Sequence, residues 1–358
     1  MARLAFGYNQ DLIHRDELSR DIVTGWLRKY VIAPKYLPSQ REWLTTDDGV
    51  RLRAYRVTPR AAARVAVVLV HGFAGWSRTP AIHAMAHALA RYGVEVIVPE
   101  LRGHGRSRGR CTLGADEARD VDAAVRAARP DLPIITFGVS LGAAACVLHA
   151  GTYGGVAACI AVSGPARWTG AGHRASAARV GQSADSRFRR AMLATLVRTR
   201  IAPHRAPATP PEDVVGNIAP SLTVIVHDPD DNYFDATHAT ALYEAARQPK
   251  QLWWYAGRGH GVDLFDPALA HRVSELIDDL LAPQPSGSGV ELLGHEETAG
   301  PLGARIAVHD LPEAGPVAGL DEVRQLVHDH VVDDPGRVVH ERRGETDTAV
   351  VDGAGPPA

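Results

Sequence analysis

Strand and helix patterns along this chain point to an α/β fold built on a mostly parallel sheet with helices on both faces. Three observations carry that reading. The run 65–70 is continuously apolar rather than alternating, as in a strand buried on both faces, and similar, mostly apolar runs follow at 94–98, 134–139, 156–162 and 222–226. Helical patterns lie between them near 80–92, 116–128 and 141–149, and strand–helix alternation is the mark of a parallel sheet. The chain has 358 residues, 45% hydrophobic and 22% charged, enough to bury a large core.

The elements follow in chain order. Residues 11–31 read as an amphipathic helix, with Leu12, Ile22, Val23, Trp26, Leu27, Tyr30 and Val31 recurring at spacings of three and four toward its end. Pro34 and Pro38 stop it, so residues 1–40 precede the body. Acids stand beside Arg and Lys on its polar face, which argues against a membrane-surface helix. Residues 50–57 alternate with period two and predict a half-solvated antiparallel strand. The buried runs come next, then a helical pattern near 236–247, a last strand at 251–255 and a closing helix over 266–281. The stretch 168–218 breaks the alternation, being too long for a plain crossover. It carries eight arginines against Asp185, Glu212 and Asp213, and Phe188, Met192, Leu193, Leu196 and Val197 form an apolar helical stripe. It reads as a small helical cap over the C-terminal edge of the sheet. The body thus spans 41–282. Pro283, Pro285, Gly287 and Gly289 then mark a linker, and residues 283–358 read as an acidic tail, largely disordered or a marginal mini-domain.

Charge and composition exclude several classes. The net charge of −2 hides a balance of −9 over 283–358 against +7 elsewhere. The body is too weakly basic for nucleic acid to be an expected partner. No apolar run of about 18 residues appears, so no membrane span is expected. The N-terminus soon meets Asn9, Gln10 and Asp11 and lacks the apolar core of a signal peptide. Cys111, Cys146 and Cys159 fit a reducing cytoplasm and no disulfide framework, with Cys146 and Cys159 expected as buried packing residues. No cluster has metal-ligand spacing and no glycine-rich loop reads as a nucleotide site, so no cofactor is expected.

The chemistry concentrates at Gly138-Val139-Ser140-Leu141-Gly142. A buried strand precedes it and a small-residue helix follows. A tight strand-to-helix turn lifts the serine oxygen above the sheet, with the helix N-terminus behind it. A serine hydroxyl is a weak nucleophile and needs a base held by a carboxylate. His260, in Gly257-Arg258-Gly259-His260-Gly261 just after the last strand, is the best base. The acid belongs in the loop after 222–227, where Asp228, Asp230 and Asp231 all qualify; spacing to His260 favours Asp231 slightly. Acyl transfer also needs two oxyanion donors. Leu141 N–H follows the nucleophile directly, and the loop His71-Gly72-Phe73-Ala74-Gly75-Trp76 offers Phe73 N–H first and Ala74 N–H second. His71 is expected to brace that loop rather than act directly. Trp76 and Trp168 fall at this loop and at the start of the cap, as candidates for the acyl pocket or for core packing.

Val70-His71-Gly72-Phe73, Leu101-Arg102-Gly103-His104-Gly105-Arg106-Ser107, the Ser140 turn, the Asp231 loop and Gly259-His260-Gly261 together resemble the α/β-hydrolase superfamily. Within it they look most like bacterial serine hydrolases grouped with serine aminopeptidases and monoacylglycerol-lipase-like esterases. The resemblance spans about residues 41–281, with the motifs in the family's order. It implies the α/β-hydrolase fold, a Ser-His-Asp triad and a short cap of the minimal-lid kind. In that family the strand before the acid commonly ends in a histidine–glycine pair, with the aspartate four residues past the histidine. Counting from His227 selects Asp231, and the resemblance supports Phe73 as an oxyanion donor. This chain departs from the pattern by placing Asp228 where the glycine stands. With Asp230 as a further carboxylate, the acid stays open among the three.

The expected function is a cytoplasmic serine hydrolase cleaving a small or medium carboxylic ester through an acyl-enzyme, with a small-molecule acyl substrate as its partner. One rival is an acyltransferase or thioesterase of a biosynthetic pathway, using the same triad with a different acceptor. Another, of a different class, is a non-catalytic binding module. The basic cap raises an anionic substrate as a further option, against the simpler account of a solvated arginine face.

Overall fold

A computed structural model describes residues 39–282. The helix expected over 11–31 and the tail expected from 283 lie outside them. The strands are β1 (Gln40–Thr45), β2 (Arg51–Val57), β3 (Val65–Val70), β4 (Val94–Pro99), β5 (Ile134–Val139), β6 (Ala158–Val162), β7 (Leu222–His227) and β8 (Lys250–Trp254). The helices are α1 (Pro80–Arg91), α2 (Glu117–Arg126), α3 (Leu141–Thr152), α4 (Ala175–Asp185), α5 (Arg187–Leu196), α6 (Pro211–Val214), α7 (Ala236–Ala245) and α8 (Pro267–Leu281).

One sheet holds all eight strands in the order β1-β2-β4-β3-β5-β6-β7-β8. The β1–β2 and β2–β4 pairs are antiparallel and the remaining pairs parallel. Strand periodicity of two splits β3 between two cores. Val65, Val67 and Leu69 pack with Ile82, Met85 and Leu89 of α1 and Val273 and Ile277 of α8. Ala66, Val68 and Val70 pack with Val121 of α2, Ala143 and Cys146 of α3 and Leu242 of α7. Each buried Val or Leu contributes about 1.5–3 kcal/mol, and β3, covered on both faces, carries no polar position. β1 is absent from the sequence reading. It is mostly exposed, so its residues show no apolar period. It is held instead by the ladder to β2 and by Arg51 and Arg53 guanidinium groups over the Trp43 ring at 4.9 and 5.1 Å.

This topology positions the site. β4 lies on one side of β3 and β5 on the other. The chain therefore reverses its winding at β3, and the loops leaving β3 and β5 part at the C-terminal edge of the sheet to open a crevice. Register aligns the strand ends there: Val70 pairs with Gly138, Val139 with Val162, Val162 with Val226 and His227 with Trp254.

The insertion between β6 and β7 forms the expected helical cap, with α4 and α5 joined to α6. Arg167 and Glu212 close its base through a 2.6 Å ion pair. On the way back to the sheet, Ile201 forms an isolated bridge with Cys111. The apolar stripe on α5 is not buried: Phe188 is 78% exposed, Leu196 65% and Met192 42%. Only Leu193 of these turns to the cavity beneath, because α5 is an outer helix with no second layer over it among the described residues. The three cysteines are free and buried, and burial pushes the Cys159 thiol up to about 12.

Candidate active site

Ser140 sits between β5 and α3 with φ 55° and ψ −119°. A non-glycine residue there stores roughly 1–3 kcal/mol of strain, tolerated only where the surroundings enforce it. They do. A Cβ on Gly138 would lie 2.2 Å from the Gly142 carbonyl oxygen, and one on Gly142 would lie 2.4 Å from that of Val70. No side chain fits at either position, so the spacing of the two glycines is a requirement of close approach. The Ser140 N–H donates to the Val162 carbonyl at 2.8 Å, pinning the turn to β6.

His260 follows β8 and brings Nε2 to 2.9 Å from Ser140 Oγ. Its Nδ1 lies 2.7 Å from Asp231 Oδ2. A carboxylate only accepts, so Nδ1 carries the proton and Nε2 is left as the acceptor for the serine hydroxyl. Of the three candidate acids, Asp231 is the one that meets His260. Its other oxygen, Oδ1, accepts the N–H groups of Tyr233 at 2.7 Å and Phe234 at 3.2 Å. Burial acts to raise its pKa, but the charge and hydrogen bond of His260, then His227 and the Tyr233 N–H, outweigh burial and hold the carboxyl below its ordinary value. His227 closes the same loop with Nε2 at 3.0 Å from the Phe234 carbonyl. The Tyr233 ring stacks on the His260 imidazole at 4.2 Å.

Phe73 and Leu141 both line the cavity beside Ser140. Neither N–H meets an acceptor among the described residues. Leu141 is the first residue of α3, where an N–H has no intrahelical partner and the helix dipole favours negative charge. Ala74, the second choice in its loop, is already engaged: its N–H donates to His104 Nε2 at 3.3 Å. His71 braces the loop as expected. Its Nε2 accepts the Leu101 N–H at 3.1 Å and its Nδ1 faces the Gly72 carbonyl at 2.8 Å. Burial drives both histidines to stay neutral, His71 down to about 4 and His104, with His71 beside it, down to about 3.

The cavity holds about 540 Å³. Phe73, Ile82, Trp168, Val180, Leu193 and Phe234 give it a largely apolar wall. Trp168 is therefore at the pocket, held by its Nε1–H donating to the Thr209 carbonyl at 2.8 Å. Trp76, a candidate for the pocket or for packing, is not among the lining residues. Its backbone N–H donates to Thr79 Oγ1 at 3.1 Å, in the turn that opens α1. One arginine, Arg205, lines the cavity, and it is paired with Asp185 at 2.9 Å. No group of three or more metal-ligating side chains occurs among the described residues, and none of their helices is long and apolar enough to cross a membrane.

Two residues at the site have places that the sequence pattern does not show. Ser163 Oγ accepts the Gly261 N–H at 3.0 Å, next to His260; a lone serine at a strand end carries no signal. Asp228 stood out only as a rival acid, and it has another place in the structure.

Comparison with known proteins agrees with the fold. Residues 61–209 match the family described as serine aminopeptidase, S33. An esterase from Rhodococcus sp. ECU1013 superposes with a TM-score of 0.56 at 20% identity, covering 67% of this chain and 99% of that one. An esterase from Pyrococcus furiosus gives 0.54 at 17% identity, covering 71% and 99%. The α/β hydrolase GrgF from Penicillium sp. sh18 gives 0.53 at 20% identity, covering 68% and 97%. No curated protein sequence matches the chain significantly.

Proposed function

We propose that this chain, whose fold is that of the α/β hydrolases, is a serine hydrolase of small or medium carboxylic esters. The observation that carries the proposal is the unbroken relay Asp231–His260–Ser140, with contacts of 2.7 and 2.9 Å, at the mouth of an apolar cavity. Ser140 Oγ attacks the ester carbonyl carbon while His260 Nε2 takes its proton. The carbonyl oxygen becomes an oxyanion facing the Phe73 and Leu141 N–H groups. These need no reorganisation as charge develops. Collapse breaks the carbon–oxygen bond to the alcohol, which leaves with the proton from His260. Water then gives its proton to His260, attacks the acyl-serine and releases the acid and the Ser140 hydroxyl. Asp231 keeps the imidazole in the required tautomer and stabilises its charged form throughout.

The esterase identity of two fold relatives supports ester cleavage as the reaction to try first. The test is labelling with a fluorophosphonate probe alongside hydrolysis of p-nitrophenyl butyrate. The wild type should label and turn over, and Ser140→Ala should do neither. A folded wild type that fails to label, or a Ser140→Ala variant that keeps its turnover, overturns the proposal. Transfer of the butyryl group from Ser140 to an added alcohol or amine in preference to water would assign acyl transfer instead.

A further inference from the structure

Asp228 is fully buried at the end of β7 and has no cationic partner in any ion pair of the described residues. What surrounds its carboxylate is backbone. Oδ1 accepts the Asp230 N–H at 2.8 Å and the Gly257 N–H at 3.2 Å, and Oδ2 accepts the Gly259 N–H. Gly257 and Gly259 both have left-handed φ, 71° and 101°. Left-handed glycines can turn backbone N–H groups toward a common point, where they form an anion-binding concavity. Here the anion is a side chain of the same protein. The Asp230 N–H belongs to the loop that presents Asp231, and the Gly257 and Gly259 N–H groups belong to the loop that presents His260. A single carboxylate therefore ties both loops at one point.

From this we infer that Asp228 is a positioning residue: it sets the separation of the Asp231 and His260 loops and so pre-aligns the imidazole on Ser140. The inference rests on the serine-hydrolase reading of the site. Three features make it more than loop packing. Its N–H donors come from the neighbours of both relay residues, one residue before Asp231 and one before His260. Burial means that a lost acceptor cannot be replaced by bulk water, so the freed N–H groups must move to find another partner. The alignment at stake is of the kind in which a shift of about 1 Å costs on the order of 100-fold in rate. Glycines around His260 thus have a role the sequence did not suggest. They do more than let the histidine project, because they supply the donors that Asp228 holds.

The experiment compares wild type, Asp228→Asn, Gly259→Ala and Ser140→Ala, all at a temperature well below each variant's Tm. Asparagine keeps the size but presents an amide NH2 to N–H donors on one side. Alanine at Gly259 works from the donor side, forcing a Cβ into a left-handed backbone without touching the core. Rates on p-nitrophenyl butyrate are normalised to sites labelled by fluorophosphonate. The Nδ1 proton of His260 is followed by its far-downfield proton NMR resonance, which needs no turnover. In Asp228→Asn, kcat should fall about 10- to 100-fold with KM changed less than about twofold. The downfield resonance should broaden or shift, and Gly259→Ala should move both readouts the same way. Either variant folded, with kcat and resonance as in wild type, overturns the inference. A KM rise at unchanged kcat does so too, since it would place Asp228 in substrate binding. Should Ser140→Ala keep activity, the functional reading fails separately, and the resonance alone still decides whether Asp228 aligns His260.

Discussion

The backbone N–H of Ala74 donates to Nε2 of buried His104 across 3.3 Å. His104 Nδ1 faces the Arg102 carbonyl at 3.1 Å, so the ring is held with its proton on Nδ1 and its Nε2 free to accept. This contact fixes the loop after β3 beside Phe73, which lines the cavity. Removing an oxyanion donor outright costs about 100- to 1000-fold in kcat. Loosening the loop that carries it should cost less. We expect His104→Ala to lower kcat for p-nitrophenyl butyrate by about tenfold at little-changed KM. A variant that stays folded with unchanged kcat would falsify the bracing role.

Asp231→Asn should keep the fold but allow the wrong imidazole tautomer, with a loss of about 10⁴ in kcat. Ser140→Ala and His260→Ala should each lose more, and the double variant should be no slower than the worse single one, since the groups act as a unit. Steady-state rates on the four proteins test this. Additive losses would separate the two residues into independent roles.

Stability should fall on the acid side of neutrality. In the unfolded chain His71 and His104 take up protons near pH 6.5, whereas in the folded protein burial delays this to about 4 and about 3. Below 6.5 the unfolded state therefore binds more protons, and stability is lost as pH falls from 6.5 toward those folded values. Asp231, held below its ordinary value, adds its own loss only at lower pH still. Between pH 6.5 and about 5 each buried histidine should remove on the order of 2 kcal/mol. Urea unfolding across that interval measures it, and a flat profile contradicts the neutral assignment.

Among the described residues, the one arginine that lines the cavity is not free to bind an anion. Arg205 lines the cavity, but its guanidinium donates to Asp185 Oδ1 at 2.9 Å and to the Ala202 carbonyl at 3.0 Å. Neutral butyrate esters should therefore exceed hemisuccinate esters in kcat/KM, with little dependence on salt. Asp185→Asn should release Arg205 and raise the rate on the anionic ester alone. A wild type that prefers the anionic ester, with the preference lost at high salt, would reverse this assignment.

Local patterns along the chain were enough to read the parallel sheet, the serine turn and the histidine loop. The physical reason is that each is written over a few consecutive residues. A strand buried on both faces must be apolar throughout, as in 65–70. A serine pushed to φ 55° between β5 and α3 must have glycines at 138 and 142, because no Cβ fits there. Other features depend on groups far apart in sequence, and only the folded chain supplies them. Asp231 rather than Asp228 or Asp230 meets His260 because 29 residues of helix and strand return the chain to one edge of the sheet. The Ala74 N–H is engaged because His104 arrives from the next loop, 30 residues on. Trp168 reaches the cavity and Trp76 does not, although both read alike as aromatic residues beside a loop. The stripe on α5 has the spacing of a buried face, yet Phe188 stays exposed, since periodicity says which residues share a face and not whether anything covers it. Asp228 shows the same division most sharply. Its residue type was visible as a departure from a family pattern. Its partners, two left-handed glycines in a loop about 30 residues away, became visible only when folding brought both loops to one carboxylate.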